Sequence, residues 1–213
     1  MIRKSLLAIV VAAALSATAT AAASTADAGT KIVPLSAGTF HTCGLTPSGG
    51  AMCWGAGGDG ALGNGLTSDS KVPVGVTGLG GGVAAIAAGW YHTCALTTGG
   101  AVSCWGDNTY GQLGDGSTEE RPAPVPVAGL STGVAAIAAG GFHTCALMEA
   151  TGGVKCWGSN SDGQLGRGTF EPSDTPVDVP ELPSQYVEVF QRRREHYPLT
   201  PPTVRPSTRK RWA

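Results

Sequence analysis

The 213-residue chain predicts an all-β repeat protein of the propeller or solenoid kind, three similar units of four short strands each. Three observations carry that expectation. A His-Thr-Cys motif recurs at His41, His92 and His143 in steps of 51 residues, and a Cys-Trp-Gly follows each time, at Trp54, Trp105 and Trp157. A fixed period near fifty residues, built of short β-type runs, is the mark of stacked supersecondary units. Glycine makes up 33 of the 213 residues and charged residues only 14%, against usual shares of about 7% and about 25%. That balance suits tight turns and half-buried strands. Finally, Gly or Pro interrupts almost every window of ten and the apolar runs are short, so the pattern argues against helices.

The second unit shows the elements in order. Val83 to Gly89 is a short apolar run ending in Gly. His92 to Thr97 and Ala101 to Gly106 are two more runs joined by Thr98-Gly99-Gly100, a hairpin signal. Gly111-Gln112-Leu113-Gly114 is a Gly-rich turn, matched by Gly60-Ala61-Leu62-Gly63 and Gly163-Gln164-Leu165-Gly166. Pro122 to Val127 alternates Pro with small apolar residues, as only an edge strand tolerates. Val83 to Ala88 alone has enough Ala for a helix, but it precedes a hairpin and recurs at 134–139, which favours a strand. The units span about 33–79, 83–129 and 134–183.

Folding each hairpin about its turn sets the cysteines opposite one another: Cys43 with Cys53, Cys94 with Cys104, and Cys145 with Cys156. Directly opposed residues on antiparallel strands have Cβ atoms about 4.5–5.5 Å apart, near enough for a disulfide after slight adjustment. Three bridges within units are therefore expected, each contributing roughly 2.5–3 kcal/mol by loop closure. The competing arrangement is a zinc site, because each His stands two residues before a Cys and shares its strand face. The Cys spacing is not that of a zinc knuckle, and the oxidised pairing is the expectation; no metal or cofactor is expected.

A compartment that oxidises thiols is suggested by the start of the chain. Arg3 and Lys4 precede an apolar run from Leu6 to Leu15, then small residues with A-x-A sites. This pattern describes a secretory signal peptide over residues 1–23 rather than a membrane anchor, followed by a polar leader over 24–32. Secreted or periplasmic localisation follows, with no membrane span after cleavage. The formal net charge is −1, yet residues 184–213 carry seven Arg or Lys against two Glu, leaving a mildly acidic body and a basic, Pro- and Arg-rich tail. Nothing in this balance calls for nucleic acid as a partner.

No catalytic signature is present: no G-x-S-x-G, Walker sequence, H-E-x-x-H or EF-hand loop. A catalytic His has no reason to recur once per unit, whereas a His that holds a turn does, so His41, His92 and His143 read as structural. Trp54, Trp105 and Trp157 read as packing between units. Asp107, Asn108 and Asp162 could hold a cation, but turn chemistry accounts for them. Trp90 stands outside the repeat, being Thr39 and Gly141 in the other units, and with Tyr91 it is the candidate contact surface.

The succession G-x-x-H-T-C-A-L, G-x-V-x-C-W-G and G-Q-L-G resembles the repeats named after the regulator of chromosome condensation, over about residues 33–183. The paired cysteines look like the variant of exported bacterial members. The resemblance implies a β-propeller whose complete form has seven four-stranded blades, working through protein–protein surfaces on one face and not as an enzyme. Members include an exchange factor for a nuclear GTPase, a plant ultraviolet photoreceptor and a secreted β-lactamase inhibitor. Gly89-Trp90-Tyr91-His92-Thr93 looks like the photoreceptor's G-W-x-H-T element, which there recurs on several blades.

Three units cannot close a seven-bladed ring, so a partial propeller, an open arc, is expected, with apolar surface and strand edges at its ends through which it could self-associate. Glu181 to Ser184 and Val187 to Val189 resemble the start of a fourth blade, and His196 lies 53 residues after His143, but no further Cys or C-W-G follows. A truncated or frame-shifted longer propeller is one expectation; a genuine basic tail for anionic surfaces is the other. The function expected is that of an exported, non-catalytic protein-interaction module with an unknown protein partner. Inhibition of an extracellular enzyme such as a β-lactamase, and carbohydrate or cell-surface binding, are the alternatives; nucleotide exchange is not expected.

Overall fold

A computed structural model of the chain describes residues 34–180. The expected signal segment and leader, the expected start of a fourth unit and the basic stretch of residues 184–213 all lie outside the described residues. Inside them stand twelve strands in three four-stranded antiparallel sheets, each a meander in chain order. The first blade holds β1 (Leu35–Ala37), β2 (His41–Leu45), β3 (Ala51–Gly55) and β4 (Ser70–Gly75). The second holds β5 (Val83–Ala88), β6 (His92–Thr97), β7 (Val102–Gly106) and β8 (Arg121–Pro126). The third holds β9 (Val134–Ala139), β10 (His143–Met148), β11 (Val154–Gly158) and β12 (Ser173–Asp178). The strands agree with the sequence reading to within a residue at most ends. One departure is a single 3-10 turn at Gly58–Gly60, where Asp59 takes φ 57° in a loop richer in Gly than its counterparts.

The Pro-alternating segment forms the sheet edge: Cys104 faces Val125 and Ser103 faces Pro126 across β7 and β8. An edge strand needs donors on one side only, so Pro122, Pro124 and Pro126 are tolerated there and also deter further pairing. The hairpins have the register expected from folding about the turns. Cys43 faces Cys53, Cys94 faces Cys104 and Cys145 faces Cys156. Each facing pair is bonded, with Cα atoms 4.1 Å apart.

The apolar core lies between blades rather than within one. One cluster joins Cys43, Leu45, Ala51, Cys53, Leu62 and Val76 of the first blade to Val83, Ala95 and Trp105 of the second. The other joins Cys94, Leu96, Val102, Cys104 and Leu113 of the second to Val134, Ala146 and Trp157 of the third. The disulfide face of each blade thus packs on the Ala and Trp face of the next. Strand alternation explains the division, because Cys94 and Leu96 point one way and Ala95 the other.

A polar joint completes each contact between blades. The His41 Nε2–H donates to Thr93 Oγ1 at 2.8 Å, and the His92 Nε2–H to Thr144 Oγ1 at 2.9 Å. Each Thr hydroxyl in turn donates to a turn carbonyl of the preceding blade, Ala61 O at 3.1 Å and Gln112 O at 2.9 Å. Those same carbonyls accept the indole N–H of Trp105 and Trp157, both at 2.9 Å. The hydroxyl has one proton, and giving it to a carbonyl leaves its oxygen to accept, which fixes the imidazole proton on Nε2. The last Gly of each turn is required here. A Cβ on Gly63 or Gly114, both at positive φ, would come within 2.6 Å of the Trp105 or Trp157 indole nitrogen.

Two consequences follow for stability. Loss of the Cys94–Cys104 bridge by paired Ser substitution should cost about 2.5–3 kcal/mol in urea unfolding, and non-reducing peptide mapping should find only links within a blade. Trp105→Ala should cost about 3–5 kcal/mol, as for a fully buried aromatic, whereas Trp54→Ala should cost well under half of that, because Trp54 is half-buried while Trp105 is 0% exposed.

Candidate interaction surface

The residue before each repeated His is aromatic: Phe40, Tyr91 and Phe142. Each sits on the turn from the first strand of its blade to the second. Its backbone carbonyl accepts an N–H from the residue after the C-W-G, Ala56 at 2.9 Å, Asp107 at 3.0 Å and Ser159 at 2.8 Å. The glycine of each C-W-G makes this approach possible, since a Cβ on Gly55 or Gly158 would lie 2.5 Å from the Phe40 or Phe142 carbonyl oxygen. The same backbone fold is repeated in each blade, so the three rings fall into a row. Phe40 and Tyr91 have centroids 5.6 Å apart, and Tyr91 and Phe142 stack at 6.3 Å.

Two further rings widen the row over the joint between the second and third blades. Trp90 meets Phe142 edge-on at 4.9 Å, and Tyr110 meets it at 5.2 Å. Trp90 lies flat against Gly141, where a Cβ would stand 3.0 Å from the indole. Gly141 occupies the position equivalent to Trp90, so a Trp there in the third blade would displace its neighbour. Phe40 is 56% exposed, Trp90 51% and Tyr110 45%, while Tyr91 and Phe142 are half-buried between them.

The loop carrying Tyr110 is held by its own side chains. Asp107 Oδ1 accepts the Thr109 N–H at 2.9 Å, and Asp107 Oδ2 accepts from Gln112 Nε2 at 2.7 Å. Gln112 Oε1 accepts the Tyr110 N–H at 2.8 Å, and Asn108 Oδ1 the Leu113 N–H at 2.9 Å. Asn108 Nδ2 donates to Ser117 O at 3.0 Å. Asn160 and Gln164 play the same parts in the third blade, at Leu165 and Asp162. The acids and amides are thus occupied in turn chemistry. Because Gln112 O is also the carbonyl gripped by Thr144 and Trp157, the loop that presents Tyr110 is anchored to the next blade.

The structure places the other residues singled out in the sequence as follows. The six cysteines are paired with one another, so no thiolate is offered to a metal. Among the described residues no group of three His, Cys, Asp or Glu side chains is gathered as a metal site would need. His41 and His92 are buried in the joints; His143 is half-buried. Trp105 and Trp157 are fully enclosed between blades, but Trp54 has no preceding blade among the described residues and is half-buried. Trp90 and Tyr91 belong to the aromatic row. Phe40, Phe142 and Tyr110 were missed, although an aromatic directly before each His-Thr-Cys is visible in the sequence.

The three repeated histidines, His41, His92 and His143, carry no charge near neutral pH. Burial pushes His41 down to about 4, and it pushes His92 to about 4 against the opposing pull of Asp107; His143 is lowered by the same cause. The Nδ1 of His92 is buried without a partner, as a neutral acceptor turned to the Gly89 backbone.

Comparison with known proteins places the chain in a family. Two profiles, both described as "Regulator of chromosome condensation (RCC1) repeat", match it three times each, one over residues 32–61, 83–112 and 134–164, the other over 48–96, 99–147 and 151–191. The chain belongs to the RCC1-repeat family, and its sheets are blades of that β-propeller type. It is 35% identical over 152 residues to the ultraviolet-B receptor UVR8 of Arabidopsis thaliana, covering 71% of this chain and 34% of the receptor. It is 37% identical over 163 residues to the E3 ubiquitin-protein ligase HERC2 of Homo sapiens, covering 75% of this chain and 3% of the ligase. The crystal structure of human WBSCR16 superposes with a TM-score of 0.62 at 26% identity, over 73% of this chain and 41% of that one. The chain therefore spans about a third or less of the curated relatives named here.

A falling pH should test the state of the histidines. The unfolded chain takes up a proton on His92 below about pH 6.5, whereas the folded chain resists until about pH 4. The unfolded state binds more protons in that window, so stability is present above pH 6.5 and is lost as pH falls toward 4, by up to about 3 kcal/mol for His92. Urea midpoints measured between pH 7 and 5 should fall accordingly, with net proton uptake on unfolding.

Proposed function

We propose that this chain is an exported, non-catalytic protein-interaction module that meets its partner through the aromatic row. The observation that carries this reading is the row itself: five rings in mutual contact, three of them about half exposed, on turns pinned by backbone hydrogen bonds. Aromatic side chains held rigid give large contact area at little entropic cost and dominate interface energetics. Export is supported by the pattern of the first 23 residues and by the three disulfides, which persist where thiols are oxidised. The absence of catalytic work is supported by the employment of His41 and His92 as neutral donors in the joints. No helix among the described residues is long and apolar enough to cross a membrane.

Inhibition of an extracellular hydrolase such as a β-lactamase is one form this function could take, since a rigid ridge of rings is a suitable insert for an enzyme cleft. Binding to carbohydrate, with the rings stacked on sugar, is the competing use. Chemical cross-linking of the protein in the secreted fraction of its own host, followed by binding measurements with the captured protein, separates these. Phe40→Ala and Trp90→Ala should each weaken binding at least tenfold, as for central interface aromatics, while Val72→Ser on β4 should not. Retention on polysaccharide with no protein captured, or full binding by both aromatic variants, would overturn the reading. A β-lactamase hydrolysis assay with added protein decides the inhibitor form.

A further inference from the structure

We infer that the two end blades recognise each other, so that a second copy of this chain docks head to tail through the joint already made twice inside it. The inference starts from an asymmetry. Every joint uses two unlike faces. The donor face carries the repeated His, the turn carbonyl and the Cys and Leu side chains. The acceptor face carries the Thr hydroxyl and the Trp indole. The second blade has both faces filled. Among the described residues the first blade has its acceptor face left over, with Thr42 and Trp54, and the third has its donor face left over, with His143 and the Gly163–Gly166 turn.

The same residue type changes burial according to its place in the series. Thr93 and Thr144 are 0% exposed, but Thr42 is half-buried. Trp105 and Trp157 are enclosed and Trp54 is not. His41 and His92 are buried, and His143 is not. On the apolar side, Leu45 and Leu96 are buried while Leu147 is only half so. Leu35 is 68% exposed, although its counterparts Ile86 and Ile137 pack against the two cores. The leftover donor face and the leftover acceptor face thus bear the residues that already bind each other at 2.8–2.9 Å in the two inner joints. A contact of this kind joins different patches of identical chains, so it propagates, and it ends in a ring or a short string of copies according to the angle between blades.

Each copy can supply one half of a junction, which gives a test by complementation. The 213-residue chain, with its disulfides formed, is sized by light scattering and sedimentation over a dilution series. Trp54→Ala removes the acceptor face, and Thr42→Glu places an unpaired carboxylate there; His143→Ala removes the donor. The wild type should be oligomeric and each variant monomeric. An equimolar mixture of Thr42→Glu and His143→Ala chains should give dimers and nothing larger, because only one good donor face and one good acceptor face remain. Circular dichroism and intact disulfides confirm that the variants fold, and Thr42→Glu is the one least able to harm the monomer. A monomeric wild type would overturn the inference and point to the chain's own residues beyond 180, or to further blades, as the cover. Oligomers unaffected by all three variants would overturn it as well. The aromatic row is untouched by these changes, so partner binding and assembly fail or stand separately.

Discussion

Everything in this structure depends on a joint between blades in which two side chains of one blade converge on a single backbone carbonyl of the one before. Thr93 and Trp105 share Ala61 O, and Thr144 and Trp157 share Gln112 O. The preceding His then completes the circuit by donating to the Thr oxygen. All of these groups are buried, where an unmet donor costs about 1–3 kcal/mol. The joint is therefore selective as well as cohesive: a blade that is displaced or rotated leaves several donors unsatisfied at once.

The joint also explains why such small blades hold together. A four-stranded sheet with Ala-rich inner strands has little apolar surface of its own, and both faces of β6 are buried only because blades lie on either side. The disulfide secures the hairpin from which the joint is built. It holds the Thr, Cys and Trp strands in register, so the hydroxyl and the indole N–H arrive at the carbonyl together. The inner strands stack directly, with the Gly89 carbonyl oxygen 2.5 Å from where a Gly38 Cβ would stand. Glycine at this place, three residues before the His, also leaves room for the imidazole ring.

Most of this was legible in the residues, for a physical reason. Where a unit recurs, each side chain that must meet a neighbouring unit recurs too, so His, Thr, Cys and Trp announce themselves by period alone. The hairpin register followed from the turn length, and Cys43 to Cys53, Cys94 to Cys104 and Cys145 to Cys156 are the facing pairs. What spacing could not show was the direction of the joint. Periodicity is blind to which blade a side chain serves, so Trp54 reads the same as Trp105, yet among the described residues only the latter has a preceding turn to bind. The aromatic row was hidden differently. Phe40 and Phe142 are interrupted by Tyr91 in the middle blade, and a search for identical motifs passes over a position that agrees only in character.

The geometry of the row follows from the joint and not from any attraction among the rings. Tyr91 and Phe142 are 6.3 Å apart because their turns are held at a blade spacing set by His92, Thr144 and Gln112. Ring pairs of this kind are worth about 0.5–1.5 kcal/mol beyond their burial, about what one hydrogen bond contributes net, and the joint beneath Tyr91 and Phe142 holds three. A surface whose spacing is imposed from below is preorganised: its rings need not be ordered on binding, and the associated entropy is already spent in folding. Tyr110 makes the connection explicit, since the loop that presents it is gripped at Gln112 by the next blade. Any change that loosens the joint should therefore blur the row before it unfolds the chain, and binding would report on the joint more sensitively than melting does.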